Sequence, residues 1–240
     1  KDTTLVKGVG FNSWRRIGSL MQAVKVYNLR QVDELVFLDI TATQQNRHPD
    51  FELIDDFADE CFMPLSVGGG IATLDDVYKL LSVGADKIVT NTKAFYEPDF
   101  ISEIANNFGS QCVVVSIDYK TDSNGKKYVY THSGTKKTNI EVMDYIKIVQ
   151  DKGAGEILLT SIERDGTMSG YDIDFYRGLH DCLNIPLIAS GGAGSYDDML
   201  KVINIGLVSA VAASSIFHFT EQTPIEAKKY LYSNGINVRL

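Results

Sequence analysis

Pro64-Leu-Ser-Val-Gly-Gly-Gly70 and Pro186-Leu-Ile-Ala-Ser-Gly-Gly192 say the same thing twice, 122 residues apart in a chain of 240. Each is a short apolar run that starts at a proline and ends in a glycine pair. The same offset lays Glu34-Leu-Val-Phe-Leu-Asp-Ile40 over Glu156-Ile-Leu-Leu-Thr-Ser-Ile162, and Gly84 over Gly206. A half-barrel doubled on itself produces such a repeat, whereas an open doubly wound sheet with one switch point does not require it.

Working outward, apolar runs occupy residues 35–41, 62–67, 87–91, 112–118, 157–162, 185–190 and 209–216. They are apolar throughout rather than alternating, as strands covered on both faces are, which means a parallel sheet. Helical patterns lie at 21–28, 50–60, 74–83, 98–108, 140–152, 173–183 and 196–205. Ser19, Thr73 and Ser195 stand where helices start, and Gly84, Gly153 and Gly206 where they end. Seven strand–helix units plus a stub at residues 5–9 predict an α/β fold, a (β/α)8 TIM barrel with a two-fold half-barrel repeat. No GxGxxG follows the first strand, which argues against the doubly wound alternative. The chain reads as one barrel over residues 1–240, with most of its first strand expected upstream of Lys1.

Composition excludes several classes of function. The net charge is −8 with no dense Lys/Arg run, so no nucleic-acid partner is expected. No apolar stretch approaches the roughly 18 residues of a membrane span, and no secretory leader is read, so neither a membrane association nor export is expected. Cys61, Cys112 and Cys182 have no CxxC spacing, which suits a reducing cytoplasm, and they read as core thiols. His48, His132, His180 and His218 are scattered, so no metal site and no cofactor are expected.

In a barrel the chemistry sits in the loops that follow the strands. Gly69 and Gly70 follow the run at 62–67, and Gly191 and Gly192 follow Ser190; their amides would approach an anion. Asn91-Thr92 and Ser214-Ser215 each close a strand just before a helical turn. Two copies of one cradle across a single mouth predict an elongated substrate with a phosphate at each end. Asp118, after five apolar or small residues, is a desolvated carboxylate suited to proton transfer. Thr160 ends the strand that precedes Glu163-Arg164-Asp165-Gly166; there Asp165 would bind a hydroxyl and Gly166 would add an amide. Lys7, pointing from the first strand, would pair with a phosphate. A hairpin at 122–130, turning at Ser123-Asn124-Gly125, would act as a mobile lid, with Ser133 and Lys136-Lys137 beyond it. Trp14-Arg15-Arg16 reads as a loop. At the opposite face Glu34, Asp86-Lys87 and Glu156 precede buried strands. They are either solvated strand starts or a ring plugging the barrel bottom.

The runs DELVFLDITAT (33–43), VGGGI (67–71), FGSQCVVVSID (108–118), GAGEILLTSIERDGTMSGYD (153–172) and IASGGAG (188–194) closely resemble the cyclase subunits of imidazole glycerol phosphate synthase. The resemblance spans residues 1–240. It implies a heterodimer with a glutaminase subunit, whose ammonia crosses the barrel. There it would convert a bis-phosphorylated phosphoribulosyl-formimino aminoimidazole carboxamide ribonucleotide into imidazole glycerol phosphate and an aminoimidazole carboxamide ribotide, a lyase step of histidine biosynthesis. It implies that Asp118 is one of two acid/base aspartates, the other falling before Lys1. It places one phosphate at Gly70, Asn91 and Thr92 and the other at Gly166, Gly192, Ser214 and Ser215, with one extra residue near Leu207. It makes Glu34, Lys87 and Glu156 members of an ammonia gate and Asp86 a residue of the glutaminase face. The family pattern is departed from at Thr3-Thr4, Gly10 and Gly18-Ser19-Leu20, and Trp14, the run at 60–64 and the run at 134–138 resemble a divergent branch that passes ammonia to a sugar amidotransferase in surface-polysaccharide synthesis. A non-catalytic binding barrel and the sister isomerase of the pathway are further alternatives. The runs at 153–156 and 108–111 argue against the isomerase.

Overall fold

The computed structural model describes residues 4–240. A β-hairpin, β1 (Thr4–Val9) and β2 (Asn12–Ser19), leads into α1 (Leu20–Leu29). Strands and helices then alternate: β3 (Leu35–Leu38), α2 (Phe51–Ala58), β4 (Leu65–Gly68), α3 (Leu74–Ser82), β5 (Lys87–Thr90), α4 (Thr92–Tyr96) and α5 (Asp99–Phe108). A three-stranded excursion follows, β6 (Val113–Thr121), β7 (Lys127–Thr131) and β8 (Lys136–Glu141), and then α6 (Val142–Asp151). The chain continues through β9 (Glu156–Ser161), α7 (Ile173–Arg177), β10 (Leu187–Ser190), α8 (Tyr196–Ile203), β11 (Ala210–Val211), α9 (Ser215–Phe219) and α10 (Pro224–Ser233).

Seven strands form one parallel sheet in the order β3-β4-β5-β6-β9-β10-β11. The curled sheet with helices outside is a TIM-barrel-like α/β fold. Alternation along the strands sorts the core into two layers. Val89, Val114, Leu158 and Ile188, with Val36 and Ala212, fill the interior. Val113, Val115, Ile117, Ile157, Leu159, Leu187 and Ala189 face outward onto the helices. Both faces of the central strands β4, β5, β6, β9 and β10 are therefore buried, which is why these strands carry no polar alternation. A buried Val or Ile of this kind contributes roughly 1.5–3 kcal/mol. No helix of the described residues is long and apolar enough to cross a membrane.

Several expectations need correction. The segment at 5–9 is not a barrel strand: Thr4–Val9 pairs antiparallel with Asn12–Ser19 in a separate two-stranded sheet. Trp14, Arg15 and Arg16 belong to that hairpin strand rather than to a loop. Ser19 makes no side-chain cap on α1, since it ends β2 opposite Thr4. The helix expected over 173–183 stops at Arg177 and continues in turns. The run at 209–216 yields only the two residues of β11 before the chain turns into α9. Asp118 does not close its strand, because pairing with β7 carries β6 on to Thr121. By contrast, Thr73 and Ser195 cap α3 and α8 as expected, through the amides of Asp76 and Asp198.

Candidate active site

The repeat seen in the sequence is a repeat of hydrogen bonds. Asp76 Oδ2 accepts from the amides of Ala72 and Thr73 at 3.0 and 2.9 Å, and Asp198 Oδ2 accepts from the Gly194 amide at 3.1 Å. These loops each lead from a glycine pair into a capped helix. Gly69 has φ +105° and Gly191 φ +89°. A Cβ on Gly69 would stand 2.2 Å from the Asp39 carbonyl oxygen, and one on Gly191 would stand 2.5 Å from that of Ser161. Asp39 and Ser161 are themselves related by the repeat. The glycines are therefore required first by the packing of neighbouring loops, and the amides they expose come with that packing.

One step further round the barrel the offset grows by one. The Leu65 carbonyl accepts from Asp86 N and the Leu187 carbonyl from Ser209 N. The additional residue therefore lies between Gly206 and Ser209. With that shift Asn91 matches Ser214. Both hold the same uncommon backbone, φ −132°, ψ −83° and φ −138°, ψ −61°, before a five-residue helix. First-turn amides of α4 and α9 have no acceptor within their helices. The Ser215 hydroxyl is buried and has no hydrogen-bond partner among the described residues. Gly70 has φ +76° and packs on the Arg47 carbonyl; Gly192, at φ +110°, packs on that of Gly170.

Asp118 lies on the interior face of β6, opposite Thr160 of β9 and Tyr130 of β7. It is 8% exposed. Its Oδ2 accepts from Asn91 Nδ2 at 3.0 Å, and the same amide nitrogen donates to the Ser116 carbonyl at 3.0 Å. Burial pushes the Asp118 carboxyl up to about 7, and the nearby Asp165 carboxylate adds to the rise against the hydrogen bonds from Ser116 and Asn91. Asn91 thus links the first loop pair to the acid. Ser190 closes β10 opposite Thr160.

Lys7 does not stand free for a phosphate: its Nζ lies 2.7 Å from Asp165 Oδ1, with both side chains largely buried. The Gly10 amide donates to the Asp165 carbonyl at 2.8 Å. Gly166, at φ +76°, leaves room for the Gly8 carbonyl, which a Cβ would meet at 2.1 Å. The β1–β2 hairpin is therefore docked on the loop after β9, and Gly166 serves that docking. Ser133 is likewise engaged, donating to the Ile40 carbonyl at 2.7 Å. With His132 N donating to Thr92 Oγ1 at 3.0 Å and Gln44 Nε2 to the His132 carbonyl at 3.2 Å, the turn after β7 is tied down at several points. The hairpin at 122–130, expected as a lid, continues the sheet instead of standing apart from it, since Lys127–Tyr130 pair with Asp118–Thr121 of β6.

At the other end of the interior, Lys87 Nζ sits 2.8 Å from both Glu34 Oε2 and Glu156 Oε1. Glu34 Oε1 also accepts from Ser66 Oγ at 2.5 Å. Burial pulls the Lys87 ammonium down, but the two carboxylates outweigh it and hold its pKa above the ordinary lysine value. Of the two readings of these charges, the clustered one is what the geometry gives. Asp86 stays outside the cluster and caps the start of β4, accepting from the Leu65 amide at 2.8 Å.

Arg47 was not anticipated from the sequence. Its guanidinium lies 2.8 Å from Asp39 Oδ2, whose partner oxygen accepts from Thr41 and Ala42. Burial pushes Asp39 up, but these amide, hydroxyl and guanidinium donors outweigh it and hold the carboxyl below the usual range. Asp39 is thus a loop organiser.

The sequence model of the family described as "Histidine biosynthesis protein" matches residues 1–223. With that match covering most of its length, over a curled parallel barrel sheet, this chain belongs to the histidine biosynthesis protein family of isomerase- and cyclase-type enzymes.

Proposed function

We propose that this protein is the cyclase subunit of a glutamine amidotransferase, acting on the bis-phosphorylated phosphoribulosyl-formimino aminoimidazole carboxamide ribonucleotide. The observation that carries the reading is the pairing of two ends of one interior. A buried carboxyl with a pKa near 7 stands at the carboxyl end, and the Glu34–Lys87–Glu156 cluster stands at the amino end. An isomerase needs the first alone. A barrel fed with ammonia through its floor needs both, because an ion-paired cluster bars water and ions while offering a small neutral molecule a path when one pair parts.

In this reading Asp118 gives and takes protons during ring closure, a role its raised pKa suits at neutral pH. Gly69, Gly70, Asn91 and Thr92 receive one phosphate, and Ser190, Gly191, Gly192, Ser214 and Ser215 the other. The unpartnered Ser215 hydroxyl supports the second assignment. Thr160 lines the space between them, and Lys7 and Asp165 bring the hairpin over it. Glu34, Lys87, Glu156 and Asp86 lie on the side that a glutaminase partner would cover.

The test is turnover of the phosphoribulosyl substrate with ammonium salts, and then with glutamine plus the glutaminase. Ring formation in both is expected. Glutamine-dependent ammonia release without ring formation would replace the cyclase with the ammonia-delivering reading.

A further inference from the structure

Beyond the rim of the barrel, β6 pairs with β7 and β7 with β8, so a three-stranded wall rises from the strand that carries Asp118. One face of this wall is buried: Tyr119 and Val129 belong to the outer core. The other continues the interior face, since Val114 lines the barrel, Asp118 shares its parity, and Lys120 is the next residue on that side. Tyr130 lies directly opposite Asp118 in register, and Tyr128 opposite Lys120. Lys120 Nζ stands over the Tyr130 ring, 5.0 Å from its centroid. Of the other lysines on this wall, Lys126 pairs with Glu141 and Lys127 with Asp172, while Lys137, beyond Tyr130 on β8, stands over the Tyr128 ring. Among the described residues Lys120 has no carboxylate partner. A half-buried ammonium held by a ring face rather than a counter-ion keeps its charge available.

The strand order fixes where this cation stands. β6 lies between β5, which leads to Asn91-Thr92, and β9 and β10, which lead to the second loop pair. We infer that Lys120 is a substrate-binding residue for the middle of the metabolite. Its ammonium donates to a central polar oxygen, of carboxamide type, while the two loop pairs take the phosphates. Tyr130 is the positioning residue, acting through Lys120 by holding the ammonium over the mouth. The inference rests on the reading of the substrate given above and adds a contact that the phosphate loops do not supply.

The experiment is titration calorimetry of the full chain with two ligands. The first is the phosphoribulosyl substrate. The second is ribose 5-phosphate, which fills one loop pair and lacks the central group. Lys120→Met is expected to weaken the substrate about tenfold or more, the loss of a charged hydrogen bond. It should leave ribose 5-phosphate binding and the melting temperature unchanged. Lys120→Arg should stay within about threefold of wild type. Tyr130→Phe, which keeps the ring, should bind as wild type, while Tyr130→Leu should weaken the substrate alone. Unchanged substrate affinity in Lys120→Met, or equal loss for both ligands, overturns the inference while the phosphate reading stands. Wild type that binds ribose 5-phosphate but not the substrate overturns the function proposed and this contact with it.

Discussion

Asp118 carries an energetic cost beside the role proposed for it. The folded protein keeps its proton up to about pH 7, whereas the unfolded chain releases it near the ordinary carboxyl value of 3.8. The native state therefore binds the extra proton between those values, and stability falls as pH rises through that window. Asp118→Asn is expected to be neutral to melting below about pH 4. Above pH 7 it should stabilise by on the order of a few kcal/mol, which melting curves at pH 4 and pH 8 will measure. On the proposed reading, in which the phosphates supply most of the binding, the same substitution should lower kcat by about a hundredfold or more with little change in substrate affinity. Asp165→Asn removes one of the two causes that raise Asp118. The inflection of the pH–kcat profile should then move toward acid, and an unmoved inflection would show that burial alone sets it.

Glycines in the barrel's loops separate two causes that sequence merges. Gly69 and Gly191 combine a positive φ with a neighbouring carbonyl at clash distance from any Cβ. Gly206 has φ +83° with open space around it. Alanine at Gly206 should therefore cost only about 1 kcal/mol, the backbone term. Alanine at Gly69 or Gly191 should cost several times more, since the loop that ends β3 or β9 must also move. Urea midpoints of the three variants decide this, and equal losses would mean the loops yield easily. The hairpins show the other side of element-scale reading. The turn at Asp122–Gly125 was legible from Ser-Asn-Gly, and the Asp122 carbonyl does accept from the Gly125 amide at 3.0 Å. What the turn could not announce was that its strands extend the barrel sheet and become a wall. That depends on β5, which pairs with β6 only as far as Val115 and leaves the same edge open to β7 beyond it.

Across the whole molecule, the interior is a column with charge at its floor, branched apolar side chains in its middle and polar groups at its mouth. Glu34, just before β3, Lys87 of β5 and Glu156 of β9 meet only because the sheet curls. Lys87→Met would leave two carboxylates facing each other without their cation. Each side chain in the cluster is about one-fifth to one-quarter exposed, so one carboxylate is expected to take up a proton and the fold to survive at reduced stability. The expected outcome is selective: turnover with ammonium salts near wild type, and glutamine-dependent turnover changed severalfold. Equal effects on both would assign Lys87 to stability rather than to ammonia passage. The docked hairpin makes a complementary case at the mouth. Lys7→Ala frees Asp165 and loosens β1–β2, so substrate affinity and the pH inflection should change together.

Sequence alone was enough for the doubled barrel, because hydrophobic runs, cap residues and glycines are local signals repeated at one offset. It was also enough to bring forward Asp118 and the paired loops, since a carboxylate after an apolar run and a glycine pair after a strand are visible one residue at a time. Three features were decided only by tertiary structure. Thr4–Val9 pairs with its own neighbour rather than with the barrel, Lys7 is held by Asp165 from 158 residues away, and Lys120 stands over the ring of Tyr130. Each depends on which backbone lies beside which after the sheet has curled. A pairing between distant strands or charges leaves no periodicity along the chain from which it could be read.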